Sequence, residues 1–493
     1  MANLDKIETI VVLMLENGSF DHKLGFLKSA AYPIEGLDGT ETVPVDPDPA
    51  SPRVAVNDGA NYRGDFHVDP GNDATFIDPA HDVDAVRNQL FGPIPGAVPT
   101  NQGFIWDYRQ QKSKAGPNTD QHAQNIVRCF SPDKLPVLTT LAQEFAVCDH
   151  WFSSVPGPTW PNRIFVHAAT SAGEVDNSLH EDAYDIDTIY DRLENANVSW
   201  RIYFHDFPQS IALTHLQKEF IAPLKRRYKL IDDFFDDART GHLPAYSFIE
   251  PRYTDFLSLK ANDQHPPHDV ALGEFLIADV YEAIRNSPQW EQSLLVILWD
   301  EHGGIYDHVP PPNTVNPDGK TVPDCDFTLL GVRVPAVLVS PYISKGTIDS
   351  LVYDHTSLLA TVEKRFGLQP LTRRDAQANT FEGVFSLAAP RTDAPTQLPR
   401  PTDPISQAAY DESQKHVADM GADAIKNALR EGNFAGVAAT EFQTSLVKLT
   451  KNLVIKGEQD IQKNLRLSQW AETEHDAAQQ VRDFATKFFK HLF

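Results

Sequence analysis

Two apolar runs along the chain end abruptly on polar residues. Residues 7–15 read IETIVVLML, and residues 294–299 read LLVILW. Continuous apolar runs of this length are typical of strands that are buried on both faces, as in the interior of a parallel sheet. The polar residues that follow them are Glu16 and Asn17 after the first run, and Asp300 and Glu301 after the second. Two further strands are predicted, at 245–249 and at 332–340, the second as a neighbour of the 294–299 strand.

Segments with helical spacing of apolar residues alternate with these runs. The pattern predicts helices near 134–145, 162–172, 270–286 and 355–367. In the last of these, Thr and Ser residues stand at the start as N-cap candidates, and a Gly ends the segment. Alternating strands and helices favour an α/β three-layer sandwich with a largely parallel central sheet. Ligands bind beyond the carboxyl ends of such strands, so we expect the two polar pairs to meet at one edge.

The C-terminal part of the chain differs in composition. Prolines cluster between 390 and 404, and only helical patterns follow. The predicted organisation is a catalytic domain at 1–389, a Pro-rich linker at 390–407 and an α-helical region at 408–493. An apolar stripe runs along its last helix, formed by Val481, Phe484, Ala485, Phe488 and Leu492. Packing on the main domain, a lid and a membrane-surface contact all remain open for this region.

Composition narrows the classes of partner and compartment. The formal net charge is −25, which argues against nucleic acid, because phosphate backbones require clustered Lys and Arg. Hydrophobic residues make up 41% of the chain, enough for a large core, yet no apolar stretch reaches the ~18 residues of a membrane span. The first 20 residues lack the basic start of a secretory signal, so a cytoplasmic location is expected, or a secreted or periplasmic one if an export peptide has been removed. The three cysteines form no C-x-x-C pair and are expected to be buried free thiols.

The strand-end residues offer carboxylate and amide oxygens. Neighbouring acids at the edge of a core repel each other, and a shared divalent cation would relieve that repulsion. Oxygen ligands favour Ca²⁺, Mg²⁺ or Mn²⁺, although Zn²⁺ also accepts carboxylates. The alternative is a solvated turn or a pair of helix caps. Phosphate-loop, H-E-x-x-H and G-x-S-x-G motifs are absent from the sequence, which disfavours nucleotide hydrolysis, zinc proteolysis and α/β-hydrolase chemistry.

A candidate nucleophile follows a tight Gly-Pro turn. In VPGPTWPNR, residues 155–163, Thr159 lies near the start of a predicted helix, where the N–H groups and the dipole favour anions. Thr159 is either a simple N-cap or a hydroxyl nucleophile activated by a metal. Several histidines also stand beside Asp and Pro in short loops, namely His81, His205, His265, His268, His308 and His355.

Four ordered motifs together resemble one enzyme family. They are MLENGSFDH at 14–22, GPTWPNR at 157–163, HPPHDV at 265–270 and DEHGGIYDHVPPP at 300–312. They are similar to the phosphoesterase family of bacterial phospholipases C, acid phosphatase A-type enzymes and plant non-specific phospholipases C. The resemblance covers roughly residues 7–370 and implies an alkaline-phosphatase-like core.

The resemblance also implies roles for single residues. It makes Thr159 the nucleophile of a covalent phospho-enzyme. It implies one divalent metal ion, held by Glu16, Asn17, Thr159, Asp300 and Glu301. It places three histidines around the phosphoryl group and leaving oxygen, which are His81, His205 and His265. Supporting roles fall to His268, His308, His355, Asn162 and Arg163. Gly18 departs from the family pattern, because Arg usually stands there.

The expected function is a metal-dependent hydrolase of phospholipase C type, which cleaves a glycerophospholipid such as phosphatidylcholine to diacylglycerol and a phospho-alcohol. The nucleophile position favours this reading, since phospholipase-like members usually carry Thr and the acid-phosphatase member Ser. A broad acid phosphatase on monoesters is the first alternative, and a non-catalytic cation-binding module is the second. A sulfatase is disfavoured because no C-x-P-x-R motif or Ser variant is present. The expected partner is a phospholipid or small phosphoester, with transient contact to a membrane surface and none with nucleic acid.

Overall fold

The structure is a computed structural model. It describes residues 3–46, 48, 50–63, 78–92, 98–113, 116–117, 123–177, 184–206, 208–220, 227–253, 255 and 259–419. All statements below refer to these residues.

A central sheet organises the described chain. Its strands are β1 Thr9–Leu15, β2 Ala146–Cys148, β3 Trp200–Phe204, β4 Tyr228–Leu230, β5 Tyr246–Glu250, β6 Ser293–Trp299, β7 Ala336–Val339 and β8 Thr347–Asp349. Their order across the sheet is β8-β2-β7-β6-β1-β5-β3-β4. All neighbouring pairs are parallel except those of β7, which is antiparallel to β6 and to β2. The predicted largely parallel sheet is confirmed.

The strand predicted at 332–340 does neighbour β6, but it is shorter and runs the opposite way. The chain enters β7 at the edge of the sheet where β6 ends. The connection at 300–335 therefore begins and ends at that edge, where it supplies much of the candidate site.

Helices cover both faces of the sheet. They are α1 Phe20–Leu24, α2 Val83–Phe91, α3 Phe104–Gln110, α4 Pro136–Glu144, α5 Thr159–Ala168, α6 Ile189–Asn195, α7 Thr214–Phe220, α8 Ile231–Thr240, α9 Val270–Arg285, α10 His355–Phe366 and α11 Pro404–Asp419. Helices α4, α8 and α11 pack against α9, and helices α6 and α10 pack against α5. The α/β sandwich is thus observed.

Most helix predictions agree with these bounds, and two details differ. The helix predicted at 162–172 starts earlier, at Thr159, and ends at Ala168, where Ala169 adopts a left-handed conformation. The helix predicted at 355–367 is capped by Asp354, whose carboxylate accepts the N–H of Thr356, and not by a Thr or Ser. Asp caps helices as well as Ser does, because its oxygen reaches the same unpaired N–H groups.

The Pro-rich segment lies against α9. Leu398 donates its N–H to Glu282 at 3.0 Å, and the ring of Tyr410 on α11 stacks on Phe275 at 4.4 Å. Residues 420–493, including the predicted apolar stripe at 481–492, lie outside the described residues. The domain boundaries therefore stay predictions.

The predicted state of the cysteines is observed, since Cys129, Cys148 and Cys325 are buried and free. Among the described helices, none is long and apolar enough to cross a membrane.

Candidate active site

The two polar pairs meet at the edge of the sheet where β1 and β6 end. The strands pair in parallel, with Leu15 opposite Trp299. Beyond them, the N–H of Asn17 donates to Asp300 Oδ1 at 3.1 Å, and the N–H of Gly18 donates to the carbonyl of Glu301 at 2.9 Å. The meeting predicted from the parallel sheet is therefore seen at the level of single hydrogen bonds.

Tandem glycines let the chain turn at this point. Gly303 and Gly304 both have φ near +70°, a region that favours glycine. A Cβ at Gly303 would lie 2.7 Å from Asn17 Cβ, and one at Gly304 would lie 2.6 Å from the carbonyl oxygen of Ala80. The glycines thus hold the segment after β6 against the first motif and against the loop that carries His81.

Several polar atoms of the site are buried and receive no hydrogen bond from the described residues. They are both carboxylate oxygens of Glu16, both side-chain atoms of Asn17, Thr159 Oγ1 and Glu301 Oε1. All four residues are 0% exposed. Buried polar groups are normally paired, so unpaired polar atoms on several residues of the site indicate a ligand. Carboxylate, amide and hydroxyl oxygens are the donor set that a hard divalent cation takes, and these residues fit one.

The pKa values of the buried carboxyl groups show how burial and neighbouring charges act on them. Burial raises the pKa of Glu16 well above its ordinary value, and neighbouring Asp263 and Asp300 raise it further. Burial also raises the pKa of Asp300, to about 6. Burial alone would do the same to Glu301, but the imidazole of His81 holds its pKa below the ordinary value.

Asp300 differs from the other predicted metal-site residues because its oxygens are already hydrogen-bonded. Arg163 Nε donates to Asp300 Oδ2 at 2.8 Å, while the N–H groups of Asn17 and Glu301 donate to Oδ1. Arg163 also reaches the carbonyl of Leu15 at 3.1 Å. Arg163, expected only in a supporting role, is the fully buried counter-ion that ties α5 to the ends of β1 and β6.

Thr159 is the first residue of α5 and not its cap. The N-cap is Pro158, and Thr159 Oγ1 makes no hydrogen bond in the described chain, so the interpretation as a simple N-cap is wrong. Thr159 and Arg163 lie one turn apart and so share a face of α5, the face from which Arg163 reaches the strand ends. Asn162 fixes the preceding turn by donating its Nδ2 to the carbonyls of Gly157 and Pro158 at 3.0 and 3.1 Å.

Two predicted histidines form a second group with an unpredicted acid. The rings of His81 and His265 lie 6.2 Å apart, and Asp78 Oδ2 is 3.8 Å from His265 Nε2. His81 Nε2 is 3.8 Å from Glu301 Oε1, which connects this group to the unpaired oxygens. Burial opposes protonation of His81, but Glu301 and Asp78 raise its pKa to about 9. Asp78 was missed, although it stands three residues before His81 in the sequence DPAHD at 78–82.

Asp263 orients the HPPHDV motif and was also missed. Its Oδ1 accepts from His268 Nδ1 at 2.6 Å and from the N–H of His265 at 3.2 Å. Its carbonyl accepts the N–H of Glu16 at 2.8 Å. Although burial opposes protonation, Asp263 raises the pKa of His268. The sequence signal was an Asp two residues before His265, which by itself carries little information.

Two further predicted histidines, His205 and His355, each lie against a backbone carbonyl. His205 follows β3, two strands from β1, and its Nδ1 lies 3.2 Å from the carbonyl of Glu250. Burial and nearby Arg252 lower the pKa of His205 to about 3. His355 Nε2 lies 2.7 Å from the carbonyl of Asp300, and burial lowers its pKa to about 4.

His308 belongs to a buried ion network outside the group of unpaired oxygens. Its Nδ1 lies 2.6 Å from Asp21 Oδ2. Arg333 donates to Asp21 at 3.0 Å and to Asp307 at 2.8 Å, and Asp307 accepts the N–H of Asp21 at 3.0 Å. Asp21 of the first motif and Asp307 and His308 of the last motif therefore connect α1 to the segment after β6.

Comparison with known proteins finds relatives that match over most of the chain. Residues 7–369 match the Phosphoesterase family. The chain is 43% identical over 442 residues to non-specific phospholipase C6 of Arabidopsis thaliana, covering 84% of this chain and 80% of that protein. It is 38% identical over 498 residues to non-specific phospholipase C1 of the same plant, covering 96% of this chain and 85% of that protein.

A bacterial relative and a solved structure are more distant. Phospholipase C B of Mycobacterium tuberculosis (strain ATCC 25618 / H37Rv) is 30% identical over 466 residues, covering 81% of each chain. A solved protein of the alkaline phosphatase superfamily from Vibrio parahaemolyticus overlaps with a TM-score of 0.32 at 11% identity, over 50% of this chain and 64% of that one. This overlap is too low to carry an argument about function.

Proposed function

Because the chain belongs to the phosphoesterase family and is a hydrolase of phosphoester bonds, we propose that it is a metal-dependent phospholipase C that forms a covalent intermediate on Thr159. The substrate is a glycerophospholipid such as phosphatidylcholine, and the products are diacylglycerol and a phospho-alcohol. The observation that carries the proposal is a set of buried polar atoms without a hydrogen bond among the described residues. They belong to Glu16 and Asn17 after β1, to Glu301 after β6, and to Thr159 at the start of α5, the helix that Arg163 connects to these strand ends.

The donor set fits one divalent cation, held by the five residues predicted for it: Glu16, Asn17, Thr159, Asp300 and Glu301. When bound, the cation supplies Lewis-acid chemistry that favours the alkoxide of Thr159 and offsets negative charge on the phosphoryl oxygens. Among the five, Asp300 contributes mainly as the anchor of Arg163, because three donors already reach its carboxylate.

The protein residues carry the remaining steps. The Thr159 hydroxyl loses its proton to solvent, and Oγ1 attacks phosphorus as the bond to the diacylglycerol oxygen breaks. His265 donates a proton to that leaving oxygen. Neutral His265 then takes a proton from water, whose oxygen attacks phosphorus as the bond from phosphorus to Thr159 Oγ1 breaks. Thr159 takes a proton back from solvent, and the phospho-alcohol leaves. His81 and the N-terminus of α5 stabilise the charge that develops in both steps.

His265 is favoured as the acid because its orientation is fixed. Its Nδ1 is bonded to the carbonyl of Pro266, so Nε2 is the nitrogen directed towards Asp78. His205 follows β3, which is two strands away from β1 in the sheet. We therefore favour His265 over His205 as the proton donor.

A phosphatase on monoesters is the alternative within the same chemistry. The names of the plant and mycobacterial relatives favour the diester, and membership of an enzyme family removes the non-catalytic module from consideration.

A panel of three substrates tests the proposal. Wild type and Thr159→Ala, each metal-depleted and then metal-restored, are given p-nitrophenyl phosphate, p-nitrophenyl phosphorylcholine and phosphatidylcholine vesicles. We expect metal-dependent release from the choline diester and from the vesicles, lost in Thr159→Ala. Activity on the monoester alone would favour the phosphatase instead.

A further inference from the structure

Four large apolar side chains are exposed to solvent among the residues that the structure describes. They are Val98 at 79%, Leu351 at 52%, Val352 at 39% and Ile405 at 62%. Single exposed apolar residues that are scattered over a surface are normal. The positions of these four are informative, because contacts tie each of their segments to the side of the molecule that carries the candidate active site.

Leu351 and Val352 follow β8, which ends at the same edge of the sheet as β1 and β6. β8 is parallel to β2, and β2 and β6 are both antiparallel to β7, so β8 and β6 run in the same direction. Asp349 accepts the N–H of Leu351 at 3.1 Å and the hydroxyl of Tyr353 at 2.8 Å. Asn379 donates its Nδ2 to the carbonyl of Val352 at 2.9 Å. A hydrogen-bonded turn thus presents both apolar side chains to solvent.

Val98 lies close in sequence to a residue that contacts the segment after β6. Asn101, three residues further on, donates its Nδ2 to the carbonyls of Asp307 and Val309 at 2.8 and 3.0 Å. Three residues of fully extended chain span at most about 11 Å. Val98 therefore lies within that distance of a residue bound to this edge of the sheet.

Ile405 lies at the start of α11, beside the start of α9. The hydroxyl of its neighbour Ser406 donates to Asp269 at 2.7 Å. Asp269 is the N-cap of α9 and directly follows His268 of the HPPHDV motif. Within the described residues, all four exposed side chains therefore belong to segments on the side that carries the site.

The charges beside these side chains do not favour an anionic partner. Arg63 is paired with Asp403 at 2.8 Å and with Asp269 at 3.2 Å, so the basic group beside Ile405 is offset. The turn that carries Leu351 contains an acid, Asp349, and the whole chain has a net charge of −25. Apolar side chains enter a zwitterionic interface without electrostatic attraction, because burial of apolar area is itself favourable.

The spacing of the side chains favours a lipid surface over a protein partner. β8 is three strands from β6, and strands lie about 4.8 Å apart, so the Leu351 turn lies roughly 14 Å from the end of β6 along the sheet. A stable protein interface buries a continuous packed area of roughly 800 Å² on each partner. Separate apolar points do not form such an area, whereas a fluid bilayer accommodates each of them.

We propose that Val98, Leu351, Val352 and Ile405 form a docking surface by which the protein binds a zwitterionic bilayer, with these side chains entering it at the level of the head groups. The inference rests on the proposed function, since it takes the substrate to be a lipid of that bilayer. Docking at these points turns the ends of β1 and β6 towards the membrane, so that a lipid reaches the site without crossing bulk water.

Cosedimentation with phosphatidylcholine vesicles tests the docking surface directly. The Thr159→Ala background is used so that turnover does not consume the vesicles. Leu351→Asn/Val352→Thr should bind about 10-fold more weakly, because it removes apolar area without changing charge. Ile405→Thr, on a different segment, should bind about 3-fold more weakly. Leu351→Trp should bind more tightly than its parent, since Trp favours the membrane–water interface.

The matched control is Thr240→Trp, which places the same side chain at the opposite edge of the sheet. Thr240 is exposed at the end of α8, and β5 begins six residues later at that edge. This variant should bind vesicles as its parent does.

Two substrates separate docking from chemistry in the enzyme that keeps Thr159. Leu351→Asn/Val352→Thr should hydrolyse phosphatidylcholine vesicles about 10-fold more slowly and keep the wild-type kcat/KM on soluble p-nitrophenyl phosphorylcholine. An equal loss on both substrates would contradict the inference, because the two residues would then support the site and not the contact with lipid.

Vesicle binding that is unchanged in both Leu351→Asn/Val352→Thr and Ile405→Thr would overturn the inference. If these substitutions instead split a dimer in sedimentation and leave vesicle binding unchanged, the surface joins two copies of the chain. Equal gains in binding from Leu351→Trp and Thr240→Trp would also contradict it. Wild type that is silent on every phosphoester would contradict the proposed function, while vesicle binding, which needs no turnover, would still decide the docking surface.

Discussion

At the scale of single residues, Arg163 makes several of the contacts that hold the candidate site together. Its guanidinium is 0% exposed, pairs with Asp300, reaches the Leu15 carbonyl and donates to the hydroxyl of Tyr253 at 2.8 Å. Breaking a buried ion pair from one side leaves an uncompensated charge, which is more destabilising than any surface pair. Arg163 thus determines both where α5 sits and whether Asp300 can stay ionised.

We therefore expect Arg163→Met to lower the free energy of unfolding by about 3–5 kcal/mol in denaturant titration. The matched control is Arg239→Met, which removes an exposed arginine paired with Asp236 at 2.8 Å and should cost less than about 1 kcal/mol. Equal losses in the two variants would contradict the role assigned to Arg163.

At the scale of elements, an ion network fastens α1 to the segment after β6. His308 is faced by Asp21, Asp307, Glu35 and Arg333. Although burial opposes its protonation, Asp21 raises the pKa of His308 to about 9. A histidine whose pKa is raised on folding stabilises fully below its ordinary value near 6.5, and that contribution is lost as the pH rises through about 9.

Wild type should therefore lose about 2 kcal/mol more stability between pH 6.5 and pH 9.5 than His308→Gln does. Denaturant titrations of both proteins across this range measure the difference. Parallel stability curves would show that His308 does not gain protonation from the network.

The strands and helices also differ in how far they could be predicted from the sequence. The ends of β1 and β6 were predictable because a continuous apolar run identifies each strand, and a parallel sheet brings carboxyl ends together. Thr159 could be proposed as a candidate nucleophile from its place after a Gly-Pro turn. The role of Asp263 was not predictable, because its backbone contact with Glu16 joins positions that are remote in sequence. The antiparallel direction of β7 was missed for a related reason, since its apolar pattern is the same in either direction.

At the scale of the whole molecule, the charge of −25 sets a condition on any lipid surface. An acidic protein is repelled by anionic head groups, and salt screens that repulsion over about 10 Å. A zwitterionic surface imposes no such barrier. The proposed substrate, phosphatidylcholine, is consistent with the acidic surface of the protein.

Hydrolysis of phosphatidylcholine vesicles should therefore slow several-fold when part of the lipid is replaced by phosphatidylserine at low salt, and added NaCl should restore the rate. Soluble p-nitrophenyl phosphorylcholine under the same salt conditions is the control. A rate that rises with phosphatidylserine would mean that a basic surface, and not the net charge, governs contact with the membrane.

The measurement that tests the central claim most directly is chemical identification of the intermediate. Wild type is mixed with p-nitrophenyl phosphorylcholine, quenched with acid within the first turnover, digested and analysed by mass spectrometry. We predict a phosphorylcholine group on Thr159, and neither label nor activity in Thr159→Ala. A Thr159→Ala variant that keeps wild-type activity, or a label on another residue, would contradict the account.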